Sequence, residues 1–346
     1  MYNRIKNKID RELKKFATNI NNLYSLSSIS PLLSKCIKDF MLREGKRIRP
    51  ILFVTGYLGF AKRPAPGLYT SALSIELLHD FMLIHDDIID KSDKRRGKPS
   101  MHRMLDNYLF GYKDIKFNGI DLSLVVGDVM YAIAIKTFLS IKEDMCRKEK
   151  ALNKFIEAAI YTGSGEFIEL FSGVKNIDKI TKQDIYKIYD YKTAHYTFSA
   201  PLSIGAVLAG APENQIDKLC QSGIYLGRAF QIKDDILGLF ASERKIGKST
   251  LSDLQEAKRT ILIWYAYNNS NKKAKLLIKR LLSKKKVNKL DLLRMREIIK
   301  QSGALKFAKK EISHLRKKAE DLINSSKIQE NYKDSLLRYP EELLSL

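Results

Sequence analysis

Residues 78–90 of this chain read LHDFMLIHDDIID, and this stretch decides the fold and the chemistry that the sequence predicts. The residues before Asp86 are apolar almost all round, which is typical of a buried helix. Asp86 and Asp90 are one helical turn apart and point the same way, while Asp87 is offset but close. Buried carboxylates need a partner, because an unpaired buried charge is strongly unfavourable. Mg²⁺ held by a few carboxylates and by phosphate groups is the partner that fits best.

A second acidic stretch, residues 227–238, reads GRAFQIKDDILG and repeats part of this geometry. On a helix, Gln231 and Asp234 project together. Gly238 stands where a third carboxylate would complete an Asp-Asp-x-x-Asp pattern. This cluster therefore offers fewer ligands, and we expect it to hold a single cation.

The composition favours one large all-α domain. The chain has 346 residues, 45% of them hydrophobic, with 8 Pro and 18 Gly, and its Leu, Ile, Lys and Ala recur at helical spacing. We expect a single domain over residues 1–346, with a motif-bearing core over about 40–265 and a helical tail over 266–346. No apolar run is long enough to span a membrane, and the N-terminus lacks a signal-peptide core, which predicts a soluble, cytoplasmic protein.

The net charge of +23 suggests a different interpretation, because strongly basic proteins often bind nucleic acid or anionic membranes. The excess is densest over residues 272–289, where no aromatic residues are interleaved. The chain also lacks zinc-finger and RNA-recognition signatures. A solvated, lysine-rich surface explains the charge better, so we expect no nucleic-acid partner and no transmembrane segment.

Several basic residues lie beside turns or small residues, where they could hold phosphate groups. These residues are Lys46, Arg49, Arg95, Arg96, Lys192, Lys248 and Lys258. Arg can bind phosphate oxygens bidentately, and Lys acts as a compact point charge. Each of them alone could be an ordinary surface charge. Together with two acidic clusters, they favour an enzyme that acts on diphosphates.

The motifs resemble those of the trans-isoprenyl diphosphate synthase (polyprenyl synthetase) family, especially its short-chain geranylgeranyl and farnesyl members. The matching segments are Gly45-Lys46-x-x-Arg49-Pro50, residues 76–102, Gly127-Asp128, Lys192-Thr193, Phe230-Gln231-x-x-Asp234-Asp235 and residues 247–258. The resemblance covers roughly residues 40–265. It implies an all-α, isoprenoid synthase type helical bundle around a deep central active-site cavity, usually as a homodimer.

The resemblance also implies roles for individual residues. Mg²⁺, about three ions per active site, would be held by Asp86, Asp90 and Asp234. Catalytic residues would be Asp86, Asp87, Asp90, Arg95, Lys192 and Asp234. The allylic diphosphate would be bound by Arg95, Lys192, Thr193, Gln231, Lys248 and Lys258. Isopentenyl diphosphate would be bound by Lys46, Arg49, His79 and Arg96. A neutral His79 would be a weak phosphate ligand, so a protonated or hydrogen-bonding ring is implied.

The implied reaction condenses isopentenyl diphosphate with an allylic diphosphate (dimethylallyl, geranyl or farnesyl) by ionisation, condensation and elimination. The length of the product should depend on Phe81 and Met82, below the first acidic cluster. A helical wheel places Met82 under Asp86 and Phe81 roughly 140° away, so the wheel and the family pattern do not fully agree. A single aromatic residue beside Met resembles the pattern that gives geranylgeranyl diphosphate, with 20 carbons (C20).

Other functions remain open at this point. The nearest alternative is a farnesyl or a longer-chain (C25–C30) synthase, which would differ only in the depth of the cavity. A terpene cyclase would not need Lys46, Arg49 and Arg96 for a second diphosphate. A non-catalytic partner subunit or a basic nucleic-acid-binding helical protein is a more distant alternative.

Two departures from the family pattern stand out. Residues 165–169 read GEFIE where the family commonly has Gly-Gln-x-x-Asp, so the roles of Glu166 and Glu169 are open. Gly238 replaces the last Asp of the second motif. We therefore expect a lower affinity for metal at the second cluster, with activity retained.

Overall fold

The computed structural model describes residues 1–241 and 250–344, and helices make up most of them. The helices up to residue 208 are α1 (Tyr2–Tyr24), α2 (Leu26–Ile29), α3 (Pro31–Met41), α4 (Ile48–Leu58), α5 (Leu68–Ile89), α6 (Met101–Leu109), α7 (Gly119–Phe138), α8 (Met145–Val174), α9 (Lys182–Tyr189) and α10 (Ala200–Leu208). Those after it are α11 (Glu213–Phe240), α12 (Ser252–Gln255), α13 (Ile261–Asn268), α14 (Lys272–Leu282), α15 (Lys289–Gln301), α16 (Ala304–Asn324) and α17 (Glu330–Leu344).

Three short elements interrupt the α-helices. A 3₁₀ turn covers Ile177–Lys179, and a π-helix covers Asp190–Ser199 between α9 and α10. The strands β1 (Lys94–Arg95) and β2 (Lys98–Pro99) form an antiparallel hairpin. Within the described ranges this hairpin is the whole of the sheet structure, so the all-α prediction is confirmed. In the same ranges, none of the helices combines the length and apolar character needed to span a membrane.

The contacts of the chain divide it into two compact units. Unit 1 is Met1–Asn153 with Ile204–Gly210, and unit 2 is Lys154–Ser203 with Ala211–Leu346. The helices α8 and α10 run from one unit into the other. The prediction of a single domain therefore stays a prediction, and each unit is described by itself.

In unit 1, α5 lies along α7, and α1 and α4 also pack on α5. Gly127 of α7 lies so close to the ring of His85 that a Cβ on it would come within 3.0 Å of Nε2. Asn118 fixes the start of α7 with a capping box, in which its side chain accepts from the Asp121 backbone while the Asp121 side chain accepts from the Asn118 backbone. The two helices therefore meet at a glycine, beside the stretch that carries the first acidic cluster.

In unit 2, α11 packs against the π-helix and α16. Gly227 lies against Ala194 and Gly223 against Ser199, and in both places a Cβ would come within 3.0 Å of the facing backbone. Buried residues such as Ile185, Ile232 and Ile261 form a continuous apolar core between these helices. Two glycines thus bring the second acidic stretch of α11 close to the π-helix that carries Lys192-Thr193.

Candidate active site

The first acidic cluster lies at the end of α5, opposite Arg95 of β1. Arg95 donates from Nε to Oδ1 of Asp87 over 2.8 Å and from Nη2 to Oδ2 of Asp86 over 3.2 Å. The backbone carbonyl of Arg95 accepts a hydrogen bond of 3.3 Å from Arg43. Asp86 and Asp90 are half-buried and Asp87 is fully buried. The hairpin thus holds a guanidinium against the carboxylates that the sequence singled out.

Asp87 differs from Asp86 and Asp90 because it is fully buried. Burial raises the pKa of Asp87 to about 6, although the Arg95 guanidinium opposes that shift. Its Oδ2 is buried and has no hydrogen-bond partner among the described residues. Three carboxylates within two turns, with one buried oxygen unpaired, form a donor set of the hard oxygen ligands that Mg²⁺ prefers. The residues of α5 therefore fit the metal that the resemblance implies.

A second group of charges lies one to three turns earlier on α5. At the tip of the hairpin, Arg96 Nη1 lies 3.4 Å from Oδ1 of Asp80, and Nη2 lies 3.7 Å from Oε1 of Glu76. Arg96 and Gly97 both have a positive φ, 54° and 76°, which suits the tight turn of a two-residue hairpin loop. A Cβ on Gly45 would lie 3.5 Å from Cζ of Arg96, so the Gly45-Lys46 segment passes close to this guanidinium.

Arg47 is a structural residue that the sequence analysis missed. It is 4% exposed, and its guanidinium donates to Oε1 of Glu76 over 2.7 Å, to Oδ1 of Asp10 over 3.2 Å and to the carbonyl of Arg43 over 2.7 Å. Its backbone is left-handed, with φ 55°, where α4 begins. The signal in the sequence was Glu76, an acidic residue in an apolar run of α5 that requires a buried cation.

His79 is half-buried on α5 beside these charges. Its pKa lies well below the usual value because of burial and because of the nearby guanidinium groups of Arg49, Arg96, Arg95 and Arg47. The ring is therefore neutral at neutral pH, which favours the hydrogen-bonding role over the protonated one. His79, Arg49 and Arg96 lie close enough to interact electrostatically, whereas the side chain of Lys46 is exposed.

In unit 2, Lys192 lies between two glutamates of α8. Its Nζ is 2.6 Å from Oε2 of Glu166 and forms a hydrogen bond with Glu169. Gly165 permits this arrangement, because a Cβ there would come within 3.0 Å of the backbone nitrogen of Lys192. The two glutamates that depart from the family pattern are therefore both partners of the lysine that we expected to bind the allylic diphosphate.

A chain of hydrogen bonds fixes the orientation of Gln231 on α11. Thr193 Oγ1 donates to Oε1 of Gln231 over 2.6 Å, and Nε2 of Gln231 donates to Oδ1 of Asp235 over 3.1 Å. The hydroxyl of Tyr189 donates to Oδ2 of Asp235. Burial raises the pKa of Asp235 to about 8, although these hydrogen bonds oppose the shift. Asp234 is exposed next to the buried Asp235.

The remaining basic residues of the prediction lie around residue 250. Lys258 Nζ lies 2.9 Å from Oε2 of Glu256 and 3.5 Å from Oδ1 of Asp253. Ala257, with φ 54°, makes the turn that lets Lys258 fold back on these carboxylates. Lys248 lies outside the described residues.

Phe81 faces α7. Its ring stacks on Tyr131 of α7, with centroids 5.0 Å apart and planes at 22°, and it also contacts His85 at 4.6 Å. Phe81 and Met82 are both half-buried. Tyr131 is a second aromatic residue that the sequence analysis missed, although it follows Gly127 by one helical turn.

An all-helical fold with one acidic cluster on α5, a second on α11 and basic residues beside each fits the isoprenoid synthase type that the motifs predict. Known proteins show which family this is. The chain belongs to the polyprenyl synthetase family, whose model matches residues 30–299.

Individual relatives agree with this assignment. The chain is 30% identical over 337 residues to a geranylgeranyl diphosphate synthase of Sulfolobus acidocaldarius, covering 96% of this chain and 97% of that one. It is 33% identical to a geranylfarnesyl diphosphate synthase of Aeropyrum pernix, covering 86% and 89%. Its fold is similar to that of geranylgeranyl pyrophosphate synthase from Corynebacterium glutamicum complexed with isoprenyl diphosphate and magnesium (TM-score 0.89, 23% identity, 100% and 99% covered). The predictions of the family and of a transferase are confirmed.

Proposed function

We propose that this protein condenses isopentenyl diphosphate with allylic diphosphates to give a short-chain trans-prenyl diphosphate, and that the product is geranylgeranyl diphosphate. The observation that carries the proposal is that each unit has its own set of basic residues beside carboxylates. Arg49, Arg96 and His79 lie together on unit 1, and Lys192 and Lys258 lie on unit 2. Two sets of cations fit two diphosphate substrates better than one.

Basic residues beside each of the two acidic stretches would act on the allylic substrate. Lys192, Lys258 and Arg95 are cations that can stabilise a departing diphosphate. As the allylic C–O bond breaks, its electron pair leaves with the diphosphate and an allylic carbocation remains. Gln231 is held by Thr193 and Asp235, so its orientation is set before substrate binds.

Arg49, Arg96 and His79 would hold isopentenyl diphosphate by its diphosphate. The double bond of this substrate then attacks the carbocation, so that a new C–C bond forms. Loss of a proton from the adjacent carbon restores a double bond, and we propose that the released diphosphate accepts this proton. Water must be excluded meanwhile, because it would capture the cation.

Asp86, Asp90 and Asp234 would hold Mg²⁺, with Asp87 beside them. When bound, Mg²⁺ supplies positive charge that stabilises the diphosphate leaving group. Asp86 and Asp90 offer carboxylate oxygens within 4.8 Å of one another, which supports the assignment of the first cluster. The synthase from Corynebacterium glutamicum was crystallised in complex with magnesium, which is consistent with this assignment.

The C20 product is supported by Phe81, the single aromatic residue beside Met82 on α5, whose ring is held in place by stacking on Tyr131 of α7. A C25 product is the second candidate, because the Aeropyrum pernix relative is a geranylfarnesyl diphosphate synthase at 33% identity. The two candidates differ only in how much chain the protein accommodates below Asp86.

The test is to incubate the purified protein with Mg²⁺, labelled isopentenyl diphosphate and each allylic diphosphate in turn, and to separate the products by chromatography. We expect elongation that ends mainly at C20. Asp86→Ala should lower kcat by on the order of 10³-fold, because a carboxylate of the cluster is lost. The control is Asp93→Ala, an exposed aspartate that pairs with Arg103. Absence of elongation with every primer would refute the proposal.

We also propose that the protein is a homodimer. On α8, the side chains of Ile160, Phe167, Phe171 and Val174 are each more than half exposed. Their spacing puts them on one face of the helix, and a contiguous apolar face of this kind is typical of an interface.

A further inference from the structure

Gly238 lies on α11 one turn after Asp234, so the two positions share a face of the helix. A Cβ built on Gly238 would come within 3.0 Å of Oδ2 of Asp253, closer than real Cβ atoms approach other atoms. Its distance to Cγ of Asp253 would be 3.4 Å. The carboxylate of Asp253 therefore occupies the space that a side chain at position 238 would need.

The local structure holds Asp253 in this place. It belongs to the short helix α12, and its neighbour Leu254 is 1% exposed in the core of unit 2. The backbone carbonyl of Asp253 accepts a hydrogen bond of 3.0 Å from the backbone of Lys258. Asp253 itself is 9% exposed.

We propose that Asp253 supplies the third carboxylate of the second acidic cluster, taking the place that Gly238 leaves without a side chain. The proposal rests on the proposed function, since it concerns the metal ion that Asp234 would hold there. The truncated motif is then complete in space although it is incomplete in sequence. The lower metal affinity that Gly238 alone suggests would not occur.

The alternative role for Asp253 is to pair with Lys258, and the structure offers a control for it. Glu256 contacts Lys258 more closely, at 2.9 Å against 3.5 Å for Asp253. Glu256→Gln therefore removes the negative charge nearest to Lys258 without adding or removing a group over Gly238. If Asp253→Asn loses metal binding and Glu256→Gln does not, Asp253 acts on the metal ion and its role is not merely to pair with Lys258.

The experiment measures binding of Mn²⁺ by the full chain in the presence of inorganic pyrophosphate, by electron paramagnetic resonance. The variants are Asp253→Asn, Glu256→Gln, Gly238→Asp and the exchange Gly238→Asp/Asp253→Gly. We expect Asp253→Asn to weaken one class of Mn²⁺ sites by about 10-fold to 100-fold, as changes around metal ligands do. Gly238→Asp should also weaken binding, because its side chain collides with Asp253. The exchange should restore affinity to near the wild-type value. Repeating the series in an Asp90→Asn background separates the second cluster from the first.

Thermal unfolding of each variant shows whether it is folded. If the exchange variant does not fold, Asp253→Asn and Asp253→Glu decide the question, with weak binding expected in the first and partial rescue in the second. Wild-type Mn²⁺ affinity in folded Asp253→Asn would overturn the inference, and so would a folded exchange variant no better than Asp253→Asn. Mn²⁺ binding is measured without prenyl transfer. A failure of this inference can therefore be distinguished from a failure of the proposed function, in which the wild-type protein would elongate no primer.

Discussion

Asp80 is fully buried on α5, and its Oδ2 has no hydrogen-bond partner among the described residues. Burial raises the pKa of Asp80 well above the ordinary carboxyl value, the neighbouring Glu76 adds to the shift, and the guanidinium groups of Arg96, Arg47 and Arg43 oppose it. The folded protein therefore holds a proton on Asp80 at pH values where the unfolded chain, with a pKa of about 3.9, has lost it. Stability that depends on this proton is present at low pH and is lost as pH rises.

Asp80→Asn should remove this dependence, because asparagine has a similar shape and no charge. We expect the melting temperature of Asp80→Asn, relative to wild type, to be higher at pH 8 than at pH 5. Thermal unfolding at both pH values measures this. The control is Asp93→Asn at an exposed site, where the difference in melting temperature between variant and wild type should be the same at both pH values. Parallel behaviour of wild type and Asp80→Asn would show that Asp80 does not titrate in this range.

At the residue scale, the sequence identified the carboxylates of the site, but it did not predict which residues the carboxylates contact. Asp86, Asp87 and Asp90 could be recognised because their spacing and apolar surroundings are visible in the sequence. The partners of Glu76 could not be predicted, because Asp10 and Arg47 lie far from it along the chain and meet only in the folded unit. The position of Asp253 over Gly238 likewise depends on a turn whose course the sequence does not specify.

At the scale of elements, the contact between α5 and α7 carries the prediction about product length. Phe81 of α5 and Tyr131 of α7 stack on each other, so removal of either ring should leave the other less well placed. We expect Phe81→Ala and Tyr131→Ala each to shift the products towards longer chains, as chromatography of the elongation products will measure. Tyr108→Ala, at an exposed position of α6, is the control. An unchanged product distribution in both ring variants would contradict the role of this pair.

The crossing of α8 and the π-helix carries a second prediction. A Cβ on Gly165 would press on the backbone of Lys192, whereas Gly163 on the same helix has nothing within 4 Å. Gly165→Ala should lower kcat/KM by on the order of 10²-fold, because it displaces Lys192. Gly163→Ala should leave activity unchanged and add about 0.5–1 kcal/mol of stability. Steady-state kinetics and urea unfolding of both variants measure these effects, and equal losses in both would rule out the displacement.

Helical periodicity in the sequence made the elements themselves predictable, because apolar residues recur at three and four residue intervals along most of the chain. The π-helix was not predictable in this way. It carries Lys192 and Thr193, and π-helical turns are frequent at functional sites. It packs closely against Gly165, Gly223 and Gly227, and such tertiary contacts are not visible in local sequence preferences.

At the scale of the whole molecule, the exposed apolar face of α8 predicts self-association. The wild-type protein should elute at about twice the mass of one chain in size-exclusion chromatography with light scattering. Phe171→Asp should shift it to the monomer, because a charge in an apolar interface is costly. Leu276→Asp, at an exposed leucine of α14, is the control and should not change the mass. A monomeric wild-type protein would contradict the proposed homodimer.

The bond between Asp10 and Arg47 bears on where this protein can be cut. The part that identifies the family is residues 30–299, but Asp10 of α1 precedes it and braces Arg47. After it, the carbonyl of Leu343 on α17 accepts a hydrogen bond of 2.6 Å from Lys233, the residue before Asp234. Each acidic stretch is thus tied to a terminal helix outside residues 30–299. A recombinant fragment trimmed to residues 30–299 would keep every motif and lose both of these hydrogen bonds to the terminal helices.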